Sequence, residues 1–69
     1  MTKQVKVGAP PGMMQEVVVD NGADVETILE IAGLDPAGFE IRVSGNIAEL
    51  DSSVGDGDVI LLLKKIKGN

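Results

Sequence analysis

The 69-residue sequence contains no cysteine, no histidine, no tryptophan and no tyrosine, and its one aromatic residue is Phe39. Each absence removes a class of chemistry. Without cysteine there is neither a disulfide nor a thiolate metal site. Without histidine the commonest metal ligand and the usual general base are gone, and Ser-His-Asp and Cys-His catalysis go with them. One phenylalanine makes no stacking platform for single-stranded nucleic acid. Positive charge is scarce: 6 Lys and Arg stand against 11 Asp and Glu, for a formal net charge of −5. That balance argues against a binder of phosphate backbones, which needs a basic surface. The longest apolar run, Val59 to Leu63, is far short of the ~20 residues of a membrane span. No apolar h-region follows Met1-Thr2-Lys3-Gln4, so a cytoplasmic location is expected. What composition leaves is one small acidic domain, residues 1–69, expected to be a carrier or binder and not an enzyme.

The pattern along the chain divides it into short elements. Gln4 to Val7 alternates polar and apolar residues, as a half-buried strand does. Gly8-Ala9-Pro10-Pro11-Gly12 breaks that strand, and Gln15 to Val19 resumes it with Val17 and Val19 on one face, which predicts a β-hairpin with a proline-stiffened tip. Asp24 is placed to cap a helix whose stripe is Val25, Ile28, Leu29 and Ala32. Gly33 is suited to the left-handed residue after it, with Leu34 folding back on Leu29 in a Schellman ending, and Asp35-Pro36 stops the helix. Phe39, Ile41 and Val43 predict a third strand. Ser44-Gly45-Asn46 turns it into Ile47-Ala48, a short strand or edge, and Leu50 to Val54 has too few apolar positions for a strand and reads as a turn or a single 3₁₀ turn. After the tight turn Asp56-Gly57-Asp58, Val59 to Leu63 is apolar on both faces, as a central strand is.

No catalytic constellation emerges. The glycines at 8 and 12 lack the Gly-Lys-Ser/Thr ending and following helix of a phosphate loop. Asp51, Asp56 and Asp58 do not have the spacing of an EF-hand and are expected to build turns, so no metal site is assigned. No cofactor is expected either. Charge is nonetheless uneven: 11 acidic and 3 basic groups lie in residues 1–63, while Lys64, Lys65 and Lys67 sit in the last six.

The order strand, strand, helix, strand, short strand, long strand predicts an α+β protein with a β-grasp fold. Its mixed sheet of four or five strands would carry the helix on one face, with Val59–Leu63 central and the first and last strands parallel. At this point the chain resembles the ubiquitin-like sulfur-carrier family of ThiS and MoaD. The resemblance is carried by Asn21-Gly22-Ala23-Asp24-Val25, Ala32-Gly33-Leu34-Asp35-Pro36, Ile41-Arg42-Val43-Ser44-Gly45-Asn46, Asp56-Gly57-Asp58-Val59 and the tail Ile66-Lys67-Gly68-Asn69. It implies a protein substrate whose C-terminal tail is adenylated by an ATP-dependent activating enzyme and turned into a thiocarboxylate. Family members end in Gly-Gly, because only a residue without Cβ lets the backbone thread a narrow channel. Here Gly68 is penultimate and Asn69 last, which leaves three possibilities open: no activation, trimming to Gly68, or a partner that accepts the substitution. The alternative is a ubiquitin-like interaction module or accessory subunit that forms no covalent bond.

Both functions need a protein partner, an activating enzyme or a synthase subunit in the first case, with the free chain expected to be a monomer. Alternation puts Ile60 and Leu62 on one face of the last strand and Val59, Leu61 and Leu63 on the other. The resemblance to ubiquitin-like proteins implies that Ile60 and Leu62 face the helix, which leaves Leu61 and Leu63 on the open sheet face, among Lys6, Glu40 and Arg42. Leucines there either form a contact patch or are covered by the Pro10-Pro11 loop or the tail. Leu61, Leu63 and Arg42, continued by Lys64, Lys65, Ile66 and Lys67 in a flexible tail over residues 64–69, form the expected docking surface, suited to an acidic groove on the partner.

Overall fold

A computed structural model describes residues 1–65. Its element order is β1 (Thr2–Gly8), β2 (Gln15–Asp20), α1 (Val25–Ala32), β3 (Phe39–Val43), β4 (Asn46–Ala48) and β5 (Val59–Lys64). The five strands form one sheet in the order β2-β1-β5-β3-β4. β5 is parallel to β1 and antiparallel to β3, so the sheet is mixed and its last strand is central, the β-grasp arrangement expected. β5 reaches Lys64, opposite Phe39, one residue past the expected strand end. Ile66, Lys67, Gly68 and Asn69 lie outside the described residues. None of the described helices is long and apolar enough to cross a membrane.

Local chemistry accounts for the helix ends. Asp24 is extended, and its carboxylate accepts the Thr27 N–H at 3.0 Å. At the other end Gly33 has φ 75°, its N–H donates to Glu30 O at 3.1 Å, and Leu34 N–H donates to Leu29 O at 2.9 Å. These are the paired bonds of a Schellman motif. Two further donors of the first turn are met from far along the chain: Val25 N–H by Ser52 O and Glu26 N–H by Leu50 O. The 49–54 segment thus closes the helix N-terminus, a job no local signal announces.

The core follows from strand parity. Val5, Val7, Val19, Ile41, Ile60 and Leu62 from the sheet meet Val25, Ile28 and Leu29 from the helix, all buried, with Val17 and Val43 packed at the margin. Val54, in the segment expected to be only a turn, is also buried. A period-2 or 3.6 pattern cannot mark an isolated residue that a loop delivers to the core.

Lys3 is the second departure. It alternates with Val5 and Val7 on the inner face and is 3% exposed. Its ammonium donates to Asn21 O at 2.8 Å, to Ala23 O at 2.9 Å and to Val54 O. An ammonium has three N–H donors and no acceptor capacity, so this one is fully satisfied. It ties β1 to the turn before α1 and to the segment before β5.

The aspartate turns are likewise structural. Asp56 accepts the Gln4 N–H at 2.8 Å, and Asp58 accepts the Gly55 N–H at 2.7 Å and the Ser44 hydroxyl at 2.9 Å. The Gly55 N–H and the Ser44 hydroxyl hold the Asp58 carboxyl below the ordinary carboxylate range. Thr27, through its backbone N–H first and then its side chain, does the same for Asp24. A carboxyl with a depressed folded pKa contributes stability that is present above its unfolded value, 3.8 here, and lost as pH falls through the folded value. Chemical-denaturation midpoints are therefore expected to drop as pH is lowered below about 4. A D24N/D58N double variant is expected to show a flatter acid limb, and an unchanged slope would remove both groups from the account.

Candidate functional site: the open sheet face

The helix covers one face of the sheet, so parity assigns the other face to Gln4 and Lys6 on β1, Glu16 and Val18 on β2, Glu40 and Arg42 on β3, Ile47 on β4, and Val59, Leu61 and Leu63 on β5. Register arranges them in rows. Ile47, Arg42, Leu61 and Gly8 form one row across β4, β3, β5 and β1; Glu40 lies beside Leu63, and Val59 beside Lys6. The centre of this face is therefore a leucine pair on the central strand. Both leucines are half-buried, whereas Ile47 is 69% exposed and Val18 59%.

Beside Leu61, the β1–β2 connection covers Gly8. Gly8, the partner of Leu61 on β1, lies under Met14: a Cβ at Gly8 would meet Met14 Sδ at 2.5 Å and the Met13 carbonyl oxygen at 3.1 Å. The lack of a side chain at Gly8 is what lets this segment close down beside the leucines. The roof over Gly8 is Met14, while Pro10 and Pro11 are exposed.

Charged groups on the face are partly committed. Arg42 Nε lies 2.6 Å from Glu40 Oε2, and its Nη1 donates to Gly45 O at 3.1 Å. The guanidinium is thereby held over β3, next to Leu61, in a defined position. Ser44 and Gly45 both have positive φ, 50° and 89°, which fits the type I′ turn of a two-residue hairpin. That turn fixes Ile47 opposite Arg42.

Of the residues expected to dock a partner, Leu61, Leu63 and Arg42 are brought together on this face. Lys64 follows Leu63 and so alternates to the opposite face at the end of β5; it and Lys65 are exposed. Lys65 N–H donates to Gly38 O at 3.4 Å, which keeps the chain beside β3 for one further residue. Ile66 and Lys67, and the possible activation site Gly68-Asn69, fall outside the described residues. Ile47 was not among the expected docking residues. Its signal was its place two residues after Ser44-Gly45, which a hairpin register would have put opposite Arg42.

No protein-family model matches the chain, and no curated protein does. Solved structures do. A protein designed de novo on the basis of ubiquitin aligns with a TM-score of 0.69 at 17% identity, covering 97% of this chain and 93% of its own. The ubiquitin of Caldiarchaeum subterraneum aligns over 100% of both chains, with a TM-score of 0.67 at 19% identity. The C-terminal ubiquitin-like domain of mouse tubulin-specific chaperone e gives 0.59 at 12% identity, over 100% of this chain and 92% of that one. Identities this low establish the fold, a ubiquitin-like β-grasp, and leave function to the site.

Proposed function

We propose that this chain is a ubiquitin-like protein-interaction module that docks a partner through its open sheet face, with Leu61 and Leu63 at the centre and Ile47, Arg42 and Lys6 around them. The observation that carries the proposal is the leucine pair itself. The helix leaves this face uncovered, and apolar surface on a small domain, gathered at the middle of a sheet and rimmed by charge, favours a contact. The guanidinium pinned by Glu40 adds a donor whose geometry is set in advance, which lowers the ordering cost of binding. Lys6 and Arg42 on this face, with the lysines that follow Leu63, favour a partner with an acidic rim.

The test is a Leu63→Asp substitution. Because Leu63 faces away from the helix, the variant is expected to keep a cooperative thermal transition within a few degrees of the wild type while losing a partner recovered by the wild-type chain. A Leu63→Asp chain that fails to fold would make Leu63 a core residue and move the docking face elsewhere.

A second function, the sulfur carrier, is favoured by the family resemblance of the helix exit and of the Asp56-Gly57-Asp58-Val59 turn. In that case the docking face presents the tail to an adenylating enzyme. Intact-mass measurement after incubation with such an enzyme, ATP and a sulfur donor separates the two functions. Replacement of one oxygen by sulfur supports the carrier, and an unchanged mass supports the non-covalent module.

A further inference from the structure

A groove lies on the opposite margin of the sheet from β2, where the short strand β4 ends. β3 pairs with β5 at every position from Phe39 to Val43, but with β4 only from Ile41 to Val43. After Ala48 the chain leaves the sheet edge to deliver Leu50 O and Ser52 O to the helix N-terminus. Among the described residues, the first two of β3 are thus left without a neighbour on that side. Bond parity says which backbone groups face the gap. Lys65 N–H donates to Gly38 O and Ser44 N–H to Val59 O, so even-numbered residues of β3 turn toward β5 and odd-numbered ones toward β4. The Phe39 N–H is taken by Pro36 O at 3.0 Å, and the Phe39 carbonyl is directed into the notch.

The groove there has a volume of about 670 Å³. Phe39, Ile41, Ala48 and Leu50 provide its apolar lining, and Glu26, Glu49 and Asp51 rim it beside the Glu40–Arg42 pair. Among the described residues, Glu26, Glu49 and Asp51 have no ion-pair partner, and Lys65 is the one cation lining the groove. An apolar trough with an acceptor on an open strand edge and carboxylates along its sides complements an extended basic segment. It is open along its length, which suits a peptide better than a small molecule that must be enclosed.

We propose that this notch docks an extended lysine- or arginine-bearing peptide of a partner protein. A peptide N–H donates to the Phe39 carbonyl as a short continuation of β4. An apolar peptide side chain lies on Phe39 and Leu50, and cations on either side of it meet Glu26, Glu49 and Asp51. This groove shares Glu40 and Ile47 with the edge of the leucine face but lies at the sheet margin, and it selects a partner of the opposite charge.

The test titrates the wild-type chain with a capped peptide of alternating lysine and valine, followed by amide NMR shifts, with a glutamate-valine peptide as control. Saturable shifts centred on Phe39, Ala48, Leu50 and Asp51 are expected with the lysine peptide, weakening as salt is raised. An E49K/D51K variant, altered only at exposed positions, is expected to bind it about fivefold more weakly or worse. The proposal is overturned by the absence of saturable shifts, by shifts centred instead on Lys6 and Val59, or by equal binding of the glutamate peptide. Undiminished affinity in a folded E49K/D51K variant also overturns it. Should that variant not fold, the salt dependence and the control peptide decide on the wild-type chain alone.

Discussion

Replacing Ile28 or Leu29 by alanine is expected to leave the domain largely unfolded at physiological temperature. Both side chains are essentially inaccessible, at 0% and 1% exposure. They belong to α1 and share one buried cluster with Ile60 and Leu62 of the central strand, so truncation opens a cavity where helix and sheet meet. Leucine- or isoleucine-to-alanine changes at such sites cost about 2–5 kcal/mol. A domain of this size has roughly 3–5 kcal/mol in total from its core, and no disulfide is present to supplement it. Loss of the cooperative transition in circular dichroism, or a midpoint lowered by tens of degrees, is the expected result. A sharp transition near that of the wild type in both variants would contradict the packing of helix on sheet.

Lys3→Met is expected to have the next largest effect, about 2–4 kcal/mol of destabilisation. Methionine keeps most of the aliphatic stem, so packing against the core margin is largely preserved. What disappears is the ammonium, and with it the shared donor for the Asn21, Ala23 and Val54 carbonyls. Water can recover part of the loss at Asn21 and Ala23, whose contacts are only partly buried, but not readily at Val54. Equilibrium urea denaturation gives the magnitude. An acylation experiment supplies an independent readout: Lys6, Lys64 and Lys65 are exposed and are expected to react well before Lys3 in the native state. Stability equal to wild type, or early acylation of Lys3, would mean that the ammonium is not held as described.

The two predictions differ in how visible their residues are in the sequence. Ile28 and Leu29 belong to a stripe with helical spacing, bounded by an aspartate that caps and a glycine that ends. Every signal is within a few residues, and each refers to backbone hydrogen bonds that close locally. The alternation in β1, β3 and β5 is of the same kind. It separated Ile60 and Leu62 from Leu61 and Leu63, because a strand has only two sides; which pair meets the helix was an implication of the family resemblance and not of the alternation. Composition likewise excluded thiol and histidine chemistry without reference to any fold, and the missing Gly-Lys-Ser/Thr ending excluded a phosphate loop.

Lys3 and Val54 were not legible in this way. A lysine in an alternating strand looks like a solvated residue whichever face it takes, since charged side chains are rarely buried. Only the arrival of the Asn21–Ala23 turn and the 52–54 segment around its ammonium makes the inward position favourable. Those carbonyls are 18, 20 and 51 residues away in sequence. Leu50 O and Ser52 O, which meet the first N–H groups of α1, and the notch beside Phe39, which opens where β4 stops pairing, are of the same origin. The sequence by itself determined the elements, their ends and the two faces of each strand, because those depend on neighbours within one turn or one hairpin. Which faces are covered, which lysine is buried and where the sheet edge stays open were decided only by the tertiary structure, because each depends on backbone groups that chain folding brings together from distant segments.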